Sequence, residues 1–328
     1  MNHKRPLISI IIPEYNQKPE LLIRCLKSVF ETQEHIDATT DCEVILIKDS
    51  LEDDLTYIQE TFPTVKIIQT KGHTGPGLAR QAGLDKATCE WIYFMDSDDT
   101  FFSVLSLWYM FNQIQLHPDA QLITFSHYEE CRHKIKGYCM ISLYCCLFRR
   151  TIIDKYQIHF LGNMNLYEDM AFVSSYTYAV GFNNIVTAEE FPIYYYRDCD
   201  TSITKSGRTP SQVVSWDVKA TMYILQVLQR ANKVYITLFF YWMFRIVNDM
   251  GGLSCYRDFV FKNKHELTAQ TVSNYNSLME ICSQYIENPT WRPAVQNIAS
   301  LFGAVGEYFM SNNCRHLKEL VNTKLTTH

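Results

Sequence analysis

The run Leu7-Ile8-Ser9-Ile10-Ile11-Ile12, apolar and rich in β-branched side chains, is stopped by Pro13 and constrains this chain more than any other stretch. A strand with no polar alternation has no face for water, so it belongs inside a sheet covered on both sides, the usual environment of parallel strands. Pro19 to Phe30 follows, with Leu22, Cys25, Leu26 and Val29 at helical spacing, and Cys42 to Ile47 reads as a second buried strand. That is a βαβ unit. The alternation continues with a helix near Asp53 to Glu60, a strand at Val65 to Gln69, a helix from about Gly77 to Lys86 and a strand at Trp91 to Met95. This order predicts an α/β fold with a doubly wound sheet, in which ligands bind outside the carboxyl ends of the strands. Pro13-Glu14-Tyr15, Asp49 and Asp96 stand at three such ends and are expected to border one crevice.

After a helix at Val104 to Leu116 and a strand at Gln121 to Ser126, the pattern becomes mixed. Ile141 to Phe148 is apolar, Arg149 to Tyr156 and Glu168 to Ala179 read as helices, and Phe191 to Arg197 as a final aromatic strand. From Thr209 onward helical periodicity dominates. The expected division is therefore an α/β domain over residues 1–208 and a helical C-terminal region over 209–328. With 47% hydrophobic and 20% charged residues, the chain has the material to pack both.

The net charge of -5 offers no basic footprint for a phosphate backbone, so nucleic acid is not expected as a partner. The 11 cysteines show no paired CxxC spacing and read as reduced thiols, pointing to the cytoplasm. Met1 to Pro6 is polar, and no secretory segment is expected there. Val234 to Phe244 is the most apolar run, but its 11 residues fall short of the roughly 20 a spanning helix needs. It reads as a buried helix, with an in-plane contact at the inner face of the membrane as the alternative. Phe239, Phe240, Trp242, Met243 and Phe244 would also suit an interface between copies of the chain.

The strongest chemical signal is Asp96-Ser97-Asp98-Asp99, directly after a buried strand. Carboxylates this close repel one another unless a cation or several donors neutralise them. Mg²⁺ or Mn²⁺ would do so, joining one or two carboxylates to substrate phosphates; the plainer reading is an acidic turn capping the next helix. Asp49, followed by Glu52-Asp53-Asp54, reads either as a site residue or as an ordinary cap. Lys71-Gly72-His73-Thr74-Gly75-Pro76-Gly77-Leu78-Ala79-Arg80 is glycine-rich and opens a helix. It would present a helix N-terminus and Arg80 to an anion, or serve as a simple turn.

Together these segments resemble the family 2 glycosyltransferases of GT-A fold, from Ile8 to about Ser202. In that family a Pro-x-Tyr-Asn step, here Pro13-Glu14-Tyr15-Asn16, borders the nucleotide base, and a strand-end Asp, here Asp49, binds it. The resemblance carries Gly75 and Arg80 to the glycine-rich segment. Asp96-Ser97-Asp98 matches the DxD motif, with Asp96 near the ribose and Asp98 on the metal that bridges the diphosphate. Glu168-Asp169 matches the Glu-Asp step whose Asp is the general base, and Tyr194-Tyr195-Tyr196-Arg197 with Thr201-Ser202-Ile203 matches the closing segment, where Arg197 would reach the diphosphate.

The resemblance implies a mixed, mostly parallel Rossmann-like sheet and inverting transfer of one sugar. The donor would be a UDP-sugar used with Mn²⁺ or Mg²⁺, and the acceptor a glycan, a lipid-linked glycan or a protein. Two positions depart from the family pattern. Lys48 replaces the first acid of an acidic pair, and Glu14 stands where a small or neutral residue is usual. A sugar nucleotidyltransferase and a non-catalytic nucleotide- or sugar-binding relative remain as alternatives.

Overall fold

A computed structural model describes residues 8–36, 42–137 and 142–197, with scattered helical positions between 216 and 231. The chain divides into two units, Met1–Ser206 and Gly207–His328. The segments Met1 to Pro6, where no secretory segment is expected, Thr201-Ser202-Ile203 of the closing motif, and Val234 to Phe244, read as a buried helix, a membrane contact or an interface, lie outside the described residues. No described helix is long and apolar enough to cross a membrane. No described cysteine forms a disulfide.

In chain order the first unit contains β1 (Ile8–Glu14), α1 (Pro19–His35), β2 (Cys42–Lys48), α2 (Thr56–Thr61), β3 (Lys66–Gln69), α3 (Pro76–Lys86), β4 (Trp91–Phe94) and β5 (Thr100–Phe101). There follow α4 (Ser106–Leu116), β6 (Leu122–Glu129), β7 (Lys134–Lys136), β8 (Cys146–Arg149), α5 (Arg150–Tyr156), α6 (Glu168–Val180) and β9 (Ile185–Tyr196). The sheet order is β3-β2-β1-β4-β8-β6-β9-β5, with β7 paired to β6. β1 pairs in parallel with both β2 and β4, so the strand order reverses around it. Crevices form at such a reversal because the connections leave in opposite directions. β8 then runs antiparallel to β4 and β6, and β9 runs parallel to β6.

Period-2 geometry splits the strands between two cores. On one face Ile10, Ile12, Val44, Leu46, Trp91 and Tyr93 join Leu22, Cys25, Leu26 and Val29 of α1 and Met110 and Ile114 of α4. Pro19 sits in the first turn of α1, where its missing N–H costs nothing. Each large apolar side chain of the α1 stripe contributes about 2 kcal/mol by leaving water. On the other face Phe94 packs edge-on against Phe148, Phe160 and Phe172. There α3 lies so close to the sheet that a Cβ on Gly83 would come within 2.4 Å of the Ile11 side chain.

β9 begins at Ile185, not at Phe191, and Arg197 follows its end. β6 reaches Glu129, beyond the predicted Ser126, and α4 starts at Ser106, two residues after the predicted Val104. Within the apolar run Ile141 to Phe148, Leu143–Cys145 form a single helical turn and the strand starts at Cys146. In the second unit Ala220, Tyr223, Ile224, Val227 and Leu228 are buried at helical spacing.

At the amino ends of the strands Glu43 forms a fully engaged node. Its carboxylate accepts from Ser9 Oγ at 2.6 Å, Lys66 Nζ at 2.5 Å, and the Thr88 N–H and hydroxyl at 2.5 and 2.9 Å. Burial alone would raise this carboxyl, but those donors outweigh it and hold it at about 2. A depressed acid stabilises the fold above its ordinary titration range, and that stability is lost as pH falls towards about 2. Glu43→Ala is expected to cost about 2 kcal/mol in urea unfolding at pH 7, because it strands the buried Ser9 hydroxyl and removes the Lys66 ion pair. A loss under 0.5 kcal/mol would remove the node from the stability account.

Candidate active site

At the opposite ends of the same strands, residues 96–99 turn directly after β4. Two groups of α1 brace this turn: Arg24 Nη2 donates to the Asp98 carbonyl at 2.6 Å, and the Cys25 thiol points at the Asp96 carbonyl at 3.6 Å. The turn caps no helix, since α4 starts at Ser106 with Leu105 as its N-cap and β5 intervenes. The plainer reading of the acidic cluster therefore falls away. Asp99 is buried, accepting from Tyr194 Oη at 2.6 Å and the Arg197 N–H at 2.7 Å. Burial, then the charges of Asp98 and Asp96, push its carboxyl well up. Ser97 is buried too, its hydroxyl accepting from Gln17 Nε2 at 3.4 Å. Asp96 and Asp98 stay partly exposed at the mouth of the crevice.

Asp49 is 3% exposed, and protein donors occupy both of its oxygens. Oδ1 accepts from the Thr70 and Thr74 hydroxyls, each at 2.5 Å, and from the Thr74 N–H at 3.1 Å. Oδ2 accepts from the Gly75 N–H at 2.9 Å. The geometry makes Asp49 the anchor of the glycine-rich loop. It does not cap a helix, because α2 starts at Thr56. Gly75 belongs to the same arrangement, its N–H spent on Asp49.

Pro13 lies opposite Ile47 in the parallel register, and Glu14 lies opposite Lys48. Tyr15 is 47% exposed and its hydroxyl meets His73 Nδ1 at 2.7 Å, joining the end of β1 to the glycine loop. Glu14 is buried, and its Oε1 accepts from the Gln17 N–H at 2.9 Å. Burial and the neighbouring Asp53 raise its carboxyl to about 7 against the pull of the Gln17 N–H and Lys48.

Arg80, expected to meet an anion, meets two carboxylates instead. Nη2 donates to Asp96 Oδ1 at 2.7 Å and Nη1 to Glu168 Oε1 at 3.2 Å. Burial works against its charge, but Asp96 and Glu168 keep it firmly protonated. The approach is possible because Gly77 starts α3 flush against the segment before α6, where a Cβ would come within 2.6 Å of the Leu161 carbonyl. Asp169 is next along. It is partly exposed yet closely surrounded by protein, with the Met170 N–H at 2.6 Å from Oδ1. Burial and then Glu168 raise its carboxyl, Arg80 and the Met170 N–H pull it back, and the balance is about 7.

The Arg197 side chain lies 4.0 Å from Glu130, and its backbone N–H is the group that meets Asp99. Sequence reasoning missed three residues. Arg24 could have been suspected as a charge flanking the apolar stripe of α1. Tyr194 was inside a recognised segment, but the emphasis went to Arg197. Gln17 carries no signal of its own.

Among the described residues no group of three or more His, Cys, Asp or Glu side chains is set to hold a metal unaided. Carboxylate oxygens are the donors a hard divalent cation takes, and such a cation would be completed by substrate oxygens, with Asp98 as the protein ligand the sequence motif suggests. Asp96, which the sequence also offers as a second metal ligand, has one oxygen on Arg80.

The glycosyl transferase family 2 model matches residues 9–174, about half of the chain. A teichoic acid poly(glycerol phosphate) polymerase of Staphylococcus epidermidis is 24% identical over 57% of this chain and 28% of its own length. A poly(ribitol-phosphate) beta-glucosyltransferase of Bacillus spizizenii is 36% identical over 32% of this chain and 17% of its own. This chain thus spans well under half of these curated relatives. S. aureus TarS 1-349, solved in complex with UDP-GlcNAc, matches with a TM-score of 0.65 at 16% identity, over 96% of this chain and 90% of that one. That likeness shows the fold, and the sequence match shows the rest: with its mixed sheet and helices arranged as GT-A, the chain belongs to glycosyltransferase family 2.

Proposed function

We propose that this chain transfers one sugar from a UDP-sugar to an acceptor hydroxyl with inversion at the anomeric carbon. One observation carries the reading. Arg80 ties Asp96 of the acidic turn to Glu168, the neighbour of Asp169, which supports reading the acidic turn and Asp169 as parts of one site. Tyr15, at the exposed end of β1, would border the base. Asp49 keeps the glycine loop in place around it, and Asp96 would meet the ribose.

Asp98 would hold Mn²⁺ or Mg²⁺, which when bound offsets the charge that develops on the departing diphosphate. Asp169 takes the proton from the acceptor hydroxyl as its oxygen attacks, so the new bond forms opposite the one that breaks. A carboxyl poised at about 7 suits that task, because enough of it is ionised at neutral pH while it is still basic enough to accept the proton.

The acceptor is a cell-surface glycan or polyol-phosphate chain. The named polymers of the two relatives support this, as does TarS for UDP-GlcNAc as the first donor to try. The test is a thermal-shift panel of UDP- and GDP-sugars with and without Mn²⁺, followed by transfer assays with the donor that stabilises. A metal-dependent rise of several degrees with a UDP-sugar is expected. Tight binding without transfer or hydrolysis would favour the non-catalytic relative, and pyrophosphate release from a sugar 1-phosphate and a nucleoside triphosphate would favour the nucleotidyltransferase.

A further inference from the structure

We propose that Arg80 is a positioning residue: it locks the acidic turn after β4 to the Glu168-Asp169 step and sets their separation, and it is not a ligand of the donor's phosphates. The inference rests on the reading of Asp169 as the base.

Its side chain is only 10% exposed, and each terminal nitrogen donates to one carboxylate. Nε is also buried and finds no acceptor among the described groups. With its charge offset by two carboxylates and little of it exposed, the guanidinium offers a phosphate a poor approach. Gly77 and Gly83 lie three residues before and three after Arg80, on the same face of α3. A Cβ at either would strike the Leu161 carbonyl or Ile11. The helix is thus built to press Arg80 inward, where it bridges a strand end 16 residues away and a helix start 88 residues away. The ion pair holds together two segments that must keep one distance if the acceptor oxygen is to meet the anomeric carbon.

The groups facing Asp169 are Glu168 on its own helix, Arg80 from α3 and Asp96 from the end of β4. Of these Arg80 is the cation. Removing it should free both segments and also leave Asp169 among like charges.

Arg80→Met and Arg80→Lys in the full chain test this, with UDP plus Mn²⁺ as the calorimetric probe. Arg80→Met is expected to lose about 100-fold in kcat, the usual cost of misplaced reacting groups, while its affinity for UDP stays within about threefold. The acid limb of its kcat/KM profile should move up by about one pH unit or more, as when an adjacent cation is lost. Arg80→Lys keeps the charge but loses the fork. Its limb should stay put while kcat falls about tenfold, again with UDP affinity held. Carbon-detected NMR titration of the Asp169 carboxyl should show the same upward move in Arg80→Met and none in Arg80→Lys.

A loss of UDP affinity of about tenfold or more in either variant, with kcat and the limb unmoved, would make Arg80 a phosphate ligand and overturn the proposal. So would an Asp169 titration indifferent to Arg80→Met. Should Arg80→Met fail to fold, the kcat and affinity of Arg80→Lys decide alone. If the wild-type chain transfers no sugar, the functional reading fails by itself, and the NMR titration still decides the coupling between Arg80 and Asp169.

Discussion

Asp169→Asn is expected to lower kcat about a thousandfold while leaving the melting temperature and UDP affinity close to wild type. The substitution keeps the shape of the side chain and an oxygen for the local Met170 N–H, so the fold loses little. What disappears is the lone pair that takes the acceptor proton. The pH dependence gives a second handle. The wild-type carboxyl is raised from its ordinary value of 3.8 to about 7, so the base form is depleted below that point. The kcat/KM profile should therefore fall about tenfold per pH unit on the acid side of 7 and level off above it. The residual rate of Asp169→Asn should show no such limb. Wild-type turnover in this variant would remove Asp169 from the chemistry, and a retained limb would assign it to another group.

The second large effect concerns Asp98→Ala. Offsetting the charge of a leaving diphosphate is worth several kcal/mol, so turnover should fall by roughly a thousandfold at 1.36 kcal/mol per factor of ten. The backbone of the turn should persist, because Arg24 holds the Asp98 carbonyl and not its side chain, and Asp99 supplies the buried anchor to Tyr194. Calorimetry distinguishes this variant from one that has merely unfolded. UDP should still bind weakly, but adding Mn²⁺ should no longer tighten it. If Mn²⁺ tightens UDP binding in Asp98→Ala as in wild type, the metal has another ligand.

The parallel half of the fold was legible because its strands bury both faces, and continuous β-branched runs such as Ile10 to Ile12 and Val44 to Ile47 have no other stable home. β5 and β7, of two and three residues, exist only because longer strands lie beside them, and no local pattern announces them. The first half of β9 was missed because Glu189 and Glu190 interrupt it, and because its register on β6 shifts at Ser126. In the site, residue types were readable but partnerships were not. An acid at a strand end looks alike whether it stays partly exposed, as Asp98 does, or ties down a loop, as Asp49 does. Arg80 looks like an anion ligand in the sequence because its two carboxylates come from β4 and α6.

The Glu43 node has a practical corollary for anyone engineering this protein. At that end of the sheet each acid is matched by donors, so natural and laboratory selection for heat tolerance would leave it alone. At the other end Glu14, Asp99 and Asp169 are acids lifted by burial and by neighbouring carboxylates, and neutral isosteres there would relieve that tension. A library screened for robustness alone would therefore drift towards Asn and Gln at the crevice and return hardy, inert proteins. Those positions should be frozen before screening begins.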